Sequence, residues 1–156
     1  MVMTKKYYFD ANALFKYYQD EAGSLEVRRL VSSAKPIYIS PITWLECQSI
    51  LKKRQRQGEL KPRVVRKVWG RLRDDVSQSV TTLRPFCELP IPDGCFRQAG
   101  SILLEYAGQF QFSANDALHV AIASLLPDKP IFVTSDQSLK NVCNNIGLLC
   151  YDPEFE

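Results

Sequence analysis

No run of eighteen apolar residues occurs anywhere in the 156-residue chain, so no segment could cross a bilayer as a helix. The opening residues, Met1-Val-Met-Thr-Lys-Lys6, hold no apolar stretch of signal-peptide length, and the expectation is a cytoplasmic protein. Histidine occurs once, at His119, and no Gly-x-Ser-x-Gly turn is present, which argues against serine-hydrolase chemistry. Gly-x-Gly-x-x-Gly and Walker-type loops are also missing, so nucleotide-cofactor enzymes are disfavoured. The five cysteines (Cys47, Cys87, Cys95, Cys143 and Cys150) are odd in number, and none stand at Cys-x-x-Cys spacing. That pattern fits neither a disulfide framework nor a zinc site, and leaves free thiols. Repeats, low-complexity tracts and interdomain linkers are lacking too. What remains is one domain, 46% hydrophobic, with enough apolar residues for a real core.

The net charge of +3 is unevenly spread. Lys52, Lys53, Arg54, Arg56, Lys61, Arg63, Arg66, Lys67, Arg71 and Arg73 share a region whose one acid is Glu59. Such a block fits a polyanionic partner such as nucleic acid, with Lys52, Arg54, Arg66 and Lys67 as candidate contacts. A solvated helical face is the plainer alternative.

In chain order, strands and helices alternate. Lys6-Tyr-Tyr-Phe9 is a short strand that runs into Asp10, and helical spacing follows over residues 12–18. A second helix is predicted over 24–33 and a second strand over 36–39. Ser40-Pro41 then starts a helix, with Ser as N-cap and Pro first, and it runs to about Gln57 before Gly58. A basic helix over 62–80, a weak strand over 88–91 and a helix from Pro92-Asp93 to about Gly108 come next. Ser113 caps a helix that is apolar almost all round from Ala117 to Leu126, and therefore buried. Strand 131–133 ends at Thr134-Ser-Asp136, a short helix ends at Gly147, and 148–151 is the last strand. Residues 1–151 thus form one α/β domain with helices on both faces of a mostly parallel sheet, and 152–156 an acidic, loose tail.

Four acids carry the chemical interest: Asp10, Glu46, Asp116 and Asp136. Each aspartate has a plain role as a helix cap, and Asp116 stands at capping-box spacing from Ser113. Glu46 shares a stripe with Ile42 and Ile50 that should face the core, and no lysine or arginine lies within a turn of it. A charge there needs a positive partner: a metal shared with the other acids, or a buried ion pair. The carboxyl ends of parallel strands are where ligands bind, and Asp10 and Asp136 are both placed there. Together the four would offer all-oxygen ligation, which suits Mg²⁺ or Mn²⁺. Crowded carboxylates repel, so Glu46→Gln is expected to raise metal-free stability. His119, one turn past Asp116, is read as a satisfied core residue or one that supports the site rather than a catalytic base.

Four segments resemble the PIN-domain ribonucleases, especially the VapC-type toxins of toxin–antitoxin pairs. They are Tyr7-Tyr-Phe-Asp-Ala-Asn-Ala-Leu14, Ile39-Ser-Pro-Ile-Thr-Trp-Leu-Glu46, Asn115-Asp-Ala-Leu-His-Val-Ala-Ile-Ala123 and Phe132-Val-Thr-Ser-Asp136. The resemblance implies Mg²⁺- or Mn²⁺-dependent RNA cleavage by Asp10, Glu46, Asp116 and Asp136, with Thr134 near the metal. It also implies an antitoxin partner that covers the active-site groove, and homodimers in many members. Asn12 departs from the Ser or Thr usual in the family; its amide can still bond the metal's water shell. A housekeeping nuclease, or an inactive PIN-like module that binds RNA or protein, are the alternatives. A haloacid-dehalogenase-like phosphatase also begins with a strand ending in Asp, but needs a second acid where Asn12 stands.

Overall fold

A computed structural model describes residues 4–155. Among them, six strands form one sheet in the order β3-β4-β2-β1-β5-β6, and every pairing is parallel. The strands are β1 (Tyr7–Phe9), β2 (Ile37–Ile39), β3 (Val76–Ser77), β4 (Phe86–Glu88), β5 (Ile131–Val133) and β6 (Cys150–Tyr151). The helices are α1 (Ala11–Tyr18), α2 (Ser24–Ala34), α3 (Pro41–Arg56), α4 (Pro62–Asp75), α5 (Cys95–Tyr106), α6 (Ala114–Leu125) and α7 (Gln137–Ile146).

Alternation along the strands divides the interior into two cores. Phe9, Ile37, Ile39, Phe86 and Val133 face α1 to α4, where Leu14, Val27, Leu30, Leu51, Val68 and Leu72 meet them. Tyr8, Tyr38, Cys87 and Phe132 face the other way, onto α5, α6 and α7. This is the expected α/β sandwich. Strands buried on both faces read as short apolar runs, which is why three residues of β1 suffice to mark the sheet's centre. The five cysteines are unbridged. Among the described residues no helix is long and apolar enough to cross a membrane.

The structure differs from the sequence expectation at several points. The basic helix α4 ends at Asp75 rather than near Val80, because Val76 and Ser77 pair with Phe86 and Cys87 as the edge strand β3. Tertiary pairing overrides helical periodicity there. Strand β4 lies two residues earlier than predicted, and α5 starts after Gly94, whose φ of 80° supplies a left-handed entry. On α3 the buried stripe is Thr43, Cys47 and Leu51, not Ile42, Glu46 and Ile50. Ile42 packs against the second core and Ile50 against the first, so Glu46 rides the border between them. Residues 152–155 of the tail are not loose: Pro153 is buried, Lys140 Nζ meets Asp152 at 2.6 Å, and Lys16 Nζ meets Glu154 at 3.3 Å, while Glu156 lies outside the described residues. Opposite charges supplied by α1 and α7 hold this stretch.

Candidate active site

Each parallel strand delivers its last residue to the same edge of the sheet. Phe9 pairs with Val133, so Asp10 and, a few residues on, Asp136 emerge side by side. Asp10 is the N-cap of α1: its Oδ1 accepts from the Ala13 N–H at 2.8 Å. Asp136 caps α7 in the same way, accepting from the Leu139 N–H at 2.9 Å. Asp116 occupies the first turn of α6 in a capping box, its Oδ2 accepting from the Ser113 N–H at 2.9 Å. The modest role anticipated for each aspartate is thus real. Each nevertheless keeps a second carboxylate oxygen with no hydrogen bond among the described residues. The three helix N-termini also bring partial positive charge to this edge.

Asp10 is the electrostatic centre. It is 5% exposed, and none of the ion pairs among the described residues includes it. Burial pushes its carboxyl up to about 6; His119 and the Ala13 N–H oppose the rise, and the negative charges of Asp116 and Glu46 add to it. Two of the other three acids therefore act on Asp10 across this edge. Asp10 and Asp136, with Asn12, Thr134, Ser135 and Lys16, line a cavity of about 210 Å³. The Thr134 hydroxyl is buried and accepts from the Asp136 N–H at 3.1 Å.

Glu46 and Asp116 do not line that cavity. Asp136 shares the cavity with Asp10, and the charges of Asp116 and Glu46 reach Asp10 from outside it, but among the described residues no three Asp, Glu, His or Cys side chains stand at the spacing that holds one ion. Chemically the donors still fit Mg²⁺ or Mn²⁺, since all are hard oxygens and the buried Asp10 carboxylate enters no ion pair among the described residues.

The compensation sought for Glu46 comes from an imidazole. Its Oε1 meets His119 Nε2, at the point where α3 passes α6. His119 follows Asp116 by three residues, so both lie on one side of α6. Lys16 escaped the sequence reasoning altogether. The residue is buried and lines the cavity of Asp10 and Asp136, while its ammonium donates to Ala22 O at 2.7 Å and sits 3.5 Å from Glu21. The signal was available: it is the one charge in α1, whose other residues are apolar or aromatic apart from Asn12.

The basic residues separate into two groups. Arg54 stacks on the Phe15 ring at 4.2 Å and pairs with Glu21 at 3.2 Å, so its charge is already engaged within the fold. Lys52, Arg66 and Lys67 are exposed. Lys52 and Arg66 line a groove of about 230 Å³ between α3 and α4, floored by Leu51, Val65 and Trp69.

The family model described as PIN domain matches residues 7–145. No curated protein matches the chain. Among solved structures, FitAcB from Neisseria gonorrhoeae is similar, with a TM-score of 0.67 at 18% identity, covering 96% of this chain and 99% of that one. VapBC2 from Rickettsia felis bound to a DNA fragment from their promoter gives 0.65 at 17% identity, covering 94% and 97%. A toxin–antitoxin complex from Klebsiella pneumoniae gives 0.57 at 16% identity, covering 95% and 98%. At such identities the likeness is one of fold.

Proposed function

The chain belongs to the PIN domain family, whose members are nucleases, and from that premise we propose that it is a divalent-metal-dependent ribonuclease acting as the toxin of a toxin–antitoxin pair. The observation that supports this most is Asp10: a buried carboxylate, pressed by Asp116 and Glu46, that enters no ion pair among the described residues, the nearby Lys16 being engaged by Glu21, Glu154 and the Ala22 carbonyl. Such an arrangement is costly for a fold that has no use for a cation.

Asp10, Glu46, Asp116 and Asp136 would hold the ion, with Asn12 and Thr134 bonding its water shell. When bound, Mg²⁺ or Mn²⁺ supplies the Lewis-acid charge that clamps a phosphodiester and acidifies the attacking water. The chain's own part is orientation. Cap hydrogen bonds from Ala13, Ser113 and Leu139 fix one oxygen of each aspartate and leave the other without a hydrogen bond among the described residues. The N-termini of α1, α6 and α7 favour phosphate oxygens at the same edge.

RNA would lie along the exposed cations Lys52, Arg66 and Lys67, with phosphate contacts that weaken as salt rises. An antitoxin is the expected protein partner, because solved relatives of the same fold are toxin–antitoxin complexes. Homodimer formation and a cytoplasmic location complete the proposal. The test is RNA cleavage by the native chain and by Asp116→Asn, with Mg²⁺ or Mn²⁺ against chelator. Growth arrest on expression, relieved by Asp10→Ala, would mark a toxin rather than a housekeeping nuclease.

One observation favours a second reading. The acids stop short of closing on one ion, as they would in a PIN-like module that binds RNA or protein without cutting. Salt-dependent RNA binding with no cleavage in any metal would establish that module and end the nuclease proposal. Charge reversal at Arg66 and Lys67 should lower RNA affinity and flatten its salt dependence while leaving metal binding intact. An unchanged salt slope would give α4 to another partner.

A further inference from the structure

His119 is 1% exposed, yet both of its ring nitrogens are engaged. Nε2 meets Glu46 Oε1 at the mouth of the sheet, and Nδ1 stands 2.7 Å from the Tyr8 hydroxyl. Tyr8 is itself fully buried; its hydroxyl donates to Ser40 Oγ at 2.9 Å and lies 3.4 Å from Thr43 Oγ1. The Thr43 hydroxyl in turn donates to the Phe9 carbonyl at 3.1 Å. A continuous polar chain therefore runs from the Glu46 carboxylate, through the second core, to the backbone immediately before Asp10.

Three elements supply this chain. Tyr8 belongs to β1, which delivers Asp10. His119 belongs to α6, whose first turn carries Asp116. Ser40 is the N-cap of α3, on which Thr43 and Glu46 ride one turn apart. A buried polar network is costly unless every member is satisfied, and satisfied ones fix geometry. Glu46 is the member that did not need this partner for its own sake. Its side chain is 28% exposed and could have been solvated by water instead. What the contact adds is a fixed place for a carboxylate on the border of α3.

We propose that His119, backed by Tyr8, is a positioning residue that fixes the Glu46 carboxylate beside Asp10 and Asp116 for metal binding. The proposal rests on the metal reading of the site given above. Groups that orient a metal's ligands in this way typically change its affinity about 10- to 100-fold when removed. Tyr8→Phe is the mildest cut. It deletes one hydroxyl and keeps the ring, which stacks on Phe132 at 5.9 Å between centroids. His119→Gln removes the imidazole but leaves a polar side chain of similar reach.

His119 is the sole histidine, so its imidazole ¹⁵N signals can be read without ambiguity. In metal-free protein, Glu46→Gln should move the Nε2 signal and Tyr8→Phe the Nδ1 signal. Titration calorimetry with Mn²⁺ should then show about tenfold weaker binding in folded Tyr8→Phe and His119→Gln than in the native chain. An Nε2 signal indifferent to Glu46→Gln overturns the proposal whatever the protein's activity. Native-like Mn²⁺ affinity in both variants, with melting temperature alone reduced, overturns it as well: the chain would then only hold the core together. A native protein that takes up no Mn²⁺, while Glu46→Gln still moves Nε2, brings down the metal reading and this proposal together.

Discussion

Asp10 and Asp136 end neighbouring strands of one sheet and cap the helices that follow, but burial treats them differently. Asp10 sits at 5% exposure with Glu46, Asp116 and His119 around it; Asp136, on the same cavity, is exposed to solvent. Water screens the charge of Asp136, whereas Asp10 has only the Ala13 N–H and a nearby imidazole to offset the loss of hydration. The same residue type, in the same cap, thus carries the cost of the site in one case and almost none in the other. If a cation is what the buried half lacks, activity should depend on both halves while metal-free stability depends on one.

The largest effect should be on chemistry. Asp10→Asn and Asp116→Asn should each lower cleavage of a labelled RNA in Mn²⁺ by roughly a hundredfold or more, the scale expected for losing a preorganised electrostatic group. Native-like cleavage by Asp10→Asn would detach the buried carboxylate from the reaction. Stability should then separate the two halves. The Asp10 carboxyl rises from 3.8 to about 6 on folding, so its contribution favours the fold below about pH 4 and is lost as pH climbs through about 6. Above that pH the ionised group costs at most about 3 kcal/mol. Asparagine caps a helix as well as aspartate does, so the bond to Ala13 survives the substitution. Metal-free Asp10→Asn should melt several degrees higher than the native chain at pH 8 and nearly level with it at pH 4. Scanning calorimetry in chelator checks this, and added Mn²⁺ should favour the native chain more than the variant. Equal melting at pH 8 would mean that Asp10 is solvated after all.

Much of this was legible in the sequence because it is written locally. Ser40-Pro41, Ser113 with Asp116, and Gly147 each announce a helix end through a hydrogen bond or backbone angle that neighbouring residues determine. The apolar run of α6 fixes its burial, and the short strands before Asp10 and Asp136 fix the end of the sheet where those acids emerge. What was illegible depends on partners far along the chain. Val76 and Ser77 look like the last turn of α4 until Phe86 and Cys87 pair with them. Arg54 looks like one cation among ten until Phe15 and Glu21 engage it. The tail looks loose until Lys16 and Lys140 are seen to hold it. Glu46 looks core-facing until the isoleucines on either side of it, Ile42 and Ile50, are seen to pack against different cores, which makes its stripe a helix border.

That border position changes what Glu46→Gln should do. Crowding alone predicts a more stable metal-free protein, since one negative charge leaves the neighbourhood of Asp10. The His119 contact works the other way, because glutamine keeps an oxygen to accept from Nε2 but loses the charge-assisted part of the bond. The two effects oppose each other at similar size, so the net change should stay within about 1 kcal/mol. A loss well beyond that would make the pair a structural ion bridge in the sense of a buried salt link with one partner removed.

Asp136→Asn should do least in the absence of metal. The cap bond to the Leu139 N–H survives in asparagine, and an exposed position carries no desolvation to relieve. What is lost is a favourable charge at the N-terminus of α7, worth roughly 0.3–1 kcal/mol at low ionic strength and less where water and salt screen it. Metal-free melting should therefore match the native chain within about 0.5 kcal/mol from pH 5 to pH 8. The gain in melting temperature on adding Mn²⁺ should nonetheless fall, because an oxygen left outside the cap is a ligand only where a cation arrives. If Mn²⁺ stabilises Asp136→Asn as much as the native chain, then Asp136 is a cap and nothing more, and the exposed half of the comparison takes no part in holding a cation.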